Sequence, residues 1–213
     1  MADLTFYTNP MSRGRIARWM LEETGAPYDT VFLHYGPEMQ SADYKAINPM
    51  MKVPAIVHKG KAVTECAAIC AYLAEAFPEA GLAPTADERA DYYRWMFFAA
   101  GPWEQASTNQ AMGFEVPADK GAMAGYGDFD RTLKALTAAV TTHPYVCGNR
   151  FTAADVYVGS HVAWGMQFGS IPPTPALQEY VSRLMARPAS ARGNEKDDAA
   201  MAEYGPQMPP GDG

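Results

Sequence analysis

Asn48-Pro49-Met50-Met51-Lys52-Val53-Pro54-Ala55-Ile56, followed eight residues on by Thr64-Glu65-Cys66-Ala67-Ala68-Ile69-Cys70-Ala71-Tyr72-Leu73, is the stretch that decides the fold. Pro54 interrupts an apolar run that otherwise reads as a strand. A proline cannot donate to a ladder, so it belongs at an exposed edge, where the main-chain groups beside it are free to pair with something other than the protein. Val53 becomes the residue with spare hydrogen bonds. Thr64-Glu65-Cys66 then opens an apolar-periodic run (Ala68, Ile69, Tyr72, Leu73), which places a helix N-terminus, with its unsatisfied N–H groups, after a short strand. An open edge and a helix start sharing one cleft can hold a short anionic peptide, its backbone on the edge and its carboxylate on the helix end.

Outward from this stretch the chain divides in two. Leu4-Thr5-Phe6-Tyr7 is rich in strand formers, Asn9-Pro10 breaks it, and an amphipathic run from Ser12 to about Thr24 follows, stopped by Gly25-Ala26-Pro27. Tyr28 to Leu33 alternates as a second strand. The segment Ala55 to Val63, with Gly60 in the turn, reads as a hairpin, and the helix from Cys66 closes a βαβ-ββα unit. Residues 74 to 88 read as a linker. Beyond it the strand signals stop: Tyr93, Met96, Phe97 and Ala100 share one helical face, and Phe129, Leu133, Leu136 and Val140 share another behind Asp128 as N-cap. Gly101-Pro102 predicts a kink in the helix beginning near Asp87. In Phe151-Thr152-Ala153-Ala154-Asp155-Val156, Thr152 and Asp155 form a capping box, with Phe151 placed to staple onto Val156. A last helix runs from Ala176 to about Ala186, and the composition from Pro188 onward, above all Gln207 to Gly213, suits a loosely held tail.

The 213 residues carry 48% hydrophobic side chains, enough for a large domain or two small ones, and a formal net charge of -7 with no basic cluster, which argues against a nucleic-acid surface. No apolar run approaches a membrane span, and the start has no leader-like pattern; the expectation is a cytoplasmic protein. Three cysteines, Cys66, Cys70 and Cys147, have no framework spacing, which fits a reducing compartment, and no His or Cys partners complete a zinc set around the first two. No metal is expected. His34, His58, His143 and His161 show no triad spacing and read as surface or satisfied core histidines.

The pattern Asn-Pro-x-x-x-Val-Pro, a short hairpin, then Glu-Cys-x-Ala-Ile-x-x-Tyr-Leu resembles the glutathione site of the cytosolic, bacterial-type glutathione S-transferases, which carry Ser where this chain has Cys66. The resemblance covers nearly the whole chain, is specific at residues 48 to 73 and 151 to 156, and is poor over 104 to 127. It implies an α/β plus all-α architecture: a thioredoxin-like domain over residues 1–77, a linker over 78–86 and an all-helical bundle over 87–213. It implies a cis bond before Pro54, main-chain pairing of Val53 with the cysteinyl part of glutathione, Glu65 and Cys66 at the γ-glutamyl end, and Lys52 at the glycine carboxylate. Reduced glutathione is then a co-substrate, the partner a small electrophile, the role detoxification, and the assembly a homodimer.

Glutathione's thiol has an unperturbed pKa of about 8.5, so an enzyme must stabilise its anion; a drop of about two units takes roughly 2.7 kcal/mol. A hydroxyl donor with a helix N-terminus can supply that. Ser12, at the expected N-cap of the first helix, is the first candidate donor, Tyr7 the second and Asn9 the third. For Ser12 the plainer use is helix capping, and for Tyr7 it is packing in the core. Arg13 and Arg15 oppose the helix dipole in the first turn, which an anion nearby would offset, while Arg18 reads as a solvated partner of Glu22. Met11, Tyr35, Trp103, Met112, Phe114 and Trp164 are candidates for an apolar electrophile pocket, of which only a minority are expected to touch ligand. Cys66 at a helix start raises a rival, glutathione-dependent disulfide reduction; a noncatalytic binding module is another.

Overall fold

The computed structural model describes residues 2–204; Gln207 to Gly213, the clearest part of the expected tail, lie outside it. Two compact units divide the chain, residues 2–81 with 186–204 and residues 82–185. In the first, β1 (Leu4–Thr8), α1 (Gly14–Thr24), β2 (Asp29–Phe32), α2 (Ala42–Ile47), β3 (Ala55–His58), β4 (Lys61–Thr64) and α3 (Cys66–Ala76) follow the expected βαβ-ββα order. The sheet runs β2-β1-β3-β4, with β1 parallel to β2 and the other pairs antiparallel. This is the thioredoxin-like plan. Leu4, Phe6 and Thr8 alternate inward along β1 and meet Ile16, Met20 and Leu21 of α1 and Ile69 and Leu73 of α3 in one buried core. The short α2, capped by Ser41 accepting from the Tyr44 amide, lies in a stretch whose pattern gave no helix signal.

The second unit is all helical: α4 (Arg89–Phe98), a π-helical turn (Ala99–Trp103), α5 (Glu104–Ala111), α6 (Phe129–Thr141), α7 (Ala153–Gln167) and α8 (Pro175–Met185). The kink expected at Gly101-Pro102 is that π turn. The buried face of α4 is Tyr92, Trp95, Met96 and Ala99, one residue out of phase with the expected face; Tyr93 and Phe97 are exposed. The Thr152–Asp155 capping box is present, while the Phe151 ring meets the edge of Tyr145.

Two readings of the sequence are corrected. Pro188 onward is not a loose tail: α9 (Pro188–Tyr204) packs along α1, so the helical unit ends at Met185 and the sheet-bearing unit regains the chain. Gly193 sits against the Trp19 backbone, where an added Cβ would come within 3.3 Å of the Trp19 Cα. Polar side chains bind the pair: Arg187 Nε and Nη2 donate to Glu23 at 2.6 and 2.8 Å, and Arg192 and Lys196 donate to Glu22 at 3.2 and 2.5 Å. Arg18, expected on a solvated face, is 2% exposed. Its Nε donates to Asp197 Oδ1 of α9 at 2.7 Å, and its guanidinium lies 5.0 to 5.9 Å from the ring centres of Phe6, Tyr28 and Phe32. A weakly hydrated, planar cation suits such a cage once a carboxylate answers its charge.

Candidate functional site

Strand register brings three segments to one end of the sheet. Ala55, directly after Pro54, pairs with Tyr7 of β1 on one side and with Thr64 of β4 on the other. The turn after β1, the Val53-Pro54 entry into β3 and the start of α3 therefore meet there. The Val53–Pro54 bond is cis, as expected, but Pro54 is buried just before β3, an inner strand paired with β1 and β4, and not at the exposed edge that the sequence suggested. Among the described residues, the amide and carbonyl of Val53 take no hydrogen-bond partner. What holds Val53 in place is the residue before it. The Lys52 carbonyl accepts from Tyr44 Oη at 2.6 Å and from Asn48 Nδ2 at 2.7 Å, and Asn48 Oδ1 accepts from the Met50 amide at 3.0 Å. Burial pushes the Tyr44 phenol up to about 12, with Asn48 opposing and Tyr7 adding to the rise, so Tyr44 stays a neutral donor across the working pH range.

The start of α3 is open. Its flanking residue Glu65 has φ 65° and makes no side-chain cap bond, and the first turn holds no acidic residue. The amides of Cys66, Ala67 and Ala68 precede the first helical bond, from the Ile69 amide to the Glu65 carbonyl. Glu65 is exposed. Two non-glycine residues with positive φ, Met51 and Glu65, flank the entry into β3 and the helix start; such backbone costs about 1–3 kcal/mol each and clusters where structure serves ligands. The Cys66 thiol is largely buried and donates to the Arg13 carbonyl at 3.6 Å, tying the start of α3 to the start of α1. Cys70, one turn on, is held well above the usual thiol range by its hydrogen bond with Cys66 and by burial.

The turn between β1 and α1 is closed on itself. Ser12 Oγ donates to the Asn9 carbonyl at 2.7 Å and accepts from the Gly14 amide at 2.9 Å, so it caps α1 from one residue further out than expected. Asn9 is buried; its Nδ2 donates to the Leu33 carbonyl and its Oδ1 accepts from the Met11 amide, both at 2.9 Å. It braces the turn. Only glycine fits at 14, where a Cβ would stand 2.0 Å from Thr8 Oγ1. Arg15 finds the anion its position called for: Nη2 donates to Asp198 at 2.8 Å, while Nε donates to the Pro10 carbonyl at 2.7 Å. The ring of Tyr7 packs 5.7 Å from that of Tyr44 beside an apolar cluster of Met39, Tyr44 and Ala55.

Of the remaining candidates, Lys52 is exposed on the loop before β3, and Tyr35 Oη donates to the Met11 carbonyl at 3.3 Å, which puts those two beside the turn. In the helical unit Trp103 is 2% exposed and packs on Phe129 at 5.8 Å between ring centres, a core position. Trp164 is half-buried, Met112 is exposed, and Phe114 lines a cavity of about 610 Å³ with Asn109, Tyr126 and Phe129. Sequence reasoning missed Tyr44 and Arg15 as braces. Asn48 was visible in the opening motif, but only its contact with the Lys52 carbonyl gives it a role. Among the described residues no cluster of His, Cys, Asp or Glu could hold a metal ion, and no helix is long and apolar enough to cross a membrane.

Comparison with known proteins identifies the family and the fold. The family model of the glutathione S-transferase N-terminal domain matches residues 2–75, and that of the C-terminal domain residues 117–188. Protein LigF of Sphingobium is 45% identical over 62 residues, 29% of this chain and 24% of that protein. Glutathione S-transferase GST-4.5 of Xanthomonas campestris is 26% identical over 192 residues, 86% of this chain and 93% of the other. A crystal structure of the theta class glutathione S-transferase from Xanthomonas axonopodis, with glutathione bound, superposes with a TM-score of 0.71 at 28% identity, covering 91% of this chain and 97% of that one.

Proposed function

Since the chain belongs to the glutathione S-transferase family, we propose that it joins the thiolate of reduced glutathione to small hydrophobic electrophiles, with the end of the sheet described above as the glutathione site. The observation that carries this reading is the pairing of an unengaged Val53 main chain with an uncapped α3 at the same end of the sheet. An antiparallel rung at Val53 takes the cysteinyl residue, the α3 amides and Glu65 take the γ-glutamyl end, and Lys52 meets the glycine carboxylate.

Ser12 then acts as thiolate donor. Its one proton now goes to the Asn9 carbonyl. Turning it onto a sulfur anion exchanges a neutral hydrogen bond, worth about 1 kcal/mol net, for a charge-assisted one of about twice that strength. The Gly14 amide stays on Ser12 Oγ throughout and polarises the hydroxyl. Asn9 serves the turn by bracing it, its side chain already bonded to the Leu33 carbonyl and the Met11 amide, while Tyr7 packs its ring on Tyr44. On the electrophile side, Met11 and Tyr35 beside the turn are the best placed; within the helical unit, Phe114 lines a cavity. Exposed apolar side chains such as Met50 and Phe97 suit a homodimer, and we assign the protein to the cytoplasm.

Calorimetry with glutathione and with cysteinylglycine tests the binding half. Loss of the γ-glutamyl group removes a charged contact worth about 1.5–3 kcal/mol, so the dipeptide should bind at least about tenfold more weakly. Equal affinity for the two would overturn the placement.

A further inference from the structure

Arg15 ties the turn carrying Ser12 to α9. Its Nε reaches back five residues to the Pro10 carbonyl at 2.7 Å, and its Nη2 meets Asp198 Oδ1 on α9 at 2.8 Å. The Arg15 side chain is 24% exposed and the Asp198 side chain 68%, so the ion pair by itself adds little to stability. Its value is directional. A guanidinium offers its donors in a rigid fork, and with one prong fixed on α9 the other has a single orientation in which to hold the Pro10 carbonyl. That carbonyl belongs to the peptide unit whose N–H, on Met11, is taken by Asn9 Oδ1. The peptide plane entering Met11 is thereby gripped from both sides, one residue before Ser12.

We propose that Arg15 is a positioning residue for the thiol-activating turn, and that α9 fixes it through Asp198. The inference rests on the reading of Ser12 given above and adds a task for the C-terminal helix within the same unit. α9 is firm enough for this: Arg187, Arg192, Lys196 and the buried Arg18–Asp197 pair clamp it along α1. Asp198 directly follows Asp197, whose contact with Arg18 sets the height at which Asp198 meets Arg15.

The test is the pH dependence of kcat for glutathione conjugation in the full chain. Arg15→Met, which keeps the stem and loses both hydrogen bonds, should raise the apparent pKa by about one unit and lower kcat at neutral pH by about threefold, with KM for glutathione within about twofold of wild type. Arg15→Lys, able to reach the Pro10 carbonyl but not to hold the fork, should recover part of this loss, and Asp198→Asn should shift the profile the same way by a smaller amount. A lowered melting temperature with an unmoved pH midpoint in Arg15→Met, or a raised KM with kcat intact, overturns the proposal. Ser12→Ala separates the two levels. If it shifts the profile and Arg15→Met does not, the positioning role alone falls; if Ser12→Ala leaves the profile unmoved, the reading of the turn falls with it.

Discussion

Two helix starts in this molecule are built from similar means and finished in opposite ways. At α7 the Thr152 amide donates to Asp155 Oδ2 at 2.9 Å, the Ala154 amide to Thr152 Oγ1 at 3.3 Å, and Asp155 Oδ1 also accepts from the Val146 amide at 2.8 Å and Tyr180 Oη at 3.0 Å. Every partner is buried and every strong bond is spent inside. At α3 no side chain caps the amides, and the flanking Glu65 is exposed with φ 65°. A closed helix start serves stability, and an open one leaves the same donors and the same dipole to a ligand. The turn before α1 lies between the two, closed by Ser12 in a way that one rotation of a hydroxyl would undo.

The comparison breaks most easily at its closed end. Asp155→Ala strands the Val146 and Thr152 amides and the Tyr180 hydroxyl in the core, which should cost about 4 kcal/mol and lower the melting temperature by about 10 °C. Burial pushes the Asp155 carboxyl up to about 6, although hydrogen bonds from Val146, Thr152 and Tyr180 hold it down. The unfolded chain, ordinary near 3.8, thus releases this proton first as pH rises. Stability should therefore fall between about pH 4 and 6 and level off above, a contribution of up to about 3 kcal/mol. Denaturant unfolding across that range should show the slope in wild type and a flatter curve in Asp155→Asn.

At the intermediate start, Ser12→Ala should lower kcat at neutral pH by up to about 25-fold, the equivalent of roughly 1.9 kcal/mol, with the melting temperature changed far less than in Asp155→Ala. Full turnover in that variant would reduce Ser12 to a cap. At the open start, Glu65→Ala should weaken glutathione binding by about tenfold in calorimetry and leave thermal stability nearly unmoved. A fall in melting temperature comparable to that of Asp155→Ala would mean that α3 is closed after all. The smallest effect belongs to Cys66→Ser, where a hydroxyl, the better hydrogen-bond partner, should tighten glutathione binding by up to about threefold. Loss of activity in that variant would instead favour the thiol-exchange reading.

What could be read from the sequence was what short-range chemistry dictates. Thr152 with Asp155 and Asp128 before α6 each act within three or four residues, and each sits where its own neighbours required, whereas the edge expected at Pro54 depended on strand order, which no local pattern carries. Arg18 and α9 were misread for the opposite reason. The Ala-rich, charged run from Pro188 looks like solvated tail because its partners, Glu22, Glu23 and Arg18, stand more than 160 residues earlier. Arg18 is buried by rings on β1, β2 and the loop between α1 and β2, a coincidence of topology that helical spacing with Glu22 could not reveal. Within the site, the residues that contact ligand in the proposal were legible. Tyr44 and Arg15, which hold them still, were not, because their targets are main-chain carbonyls that carry no signature.

The central claim is that the sheet end with an open rung and an uncapped helix delivers a sulfur to the Ser12 turn as an anion. Titrating the ultraviolet thiolate absorbance of glutathione bound to the wild-type protein measures this directly. The account predicts a midpoint about two units below the free thiol, near pH 6.5, and a midpoint unchanged at about 8.5 would contradict it.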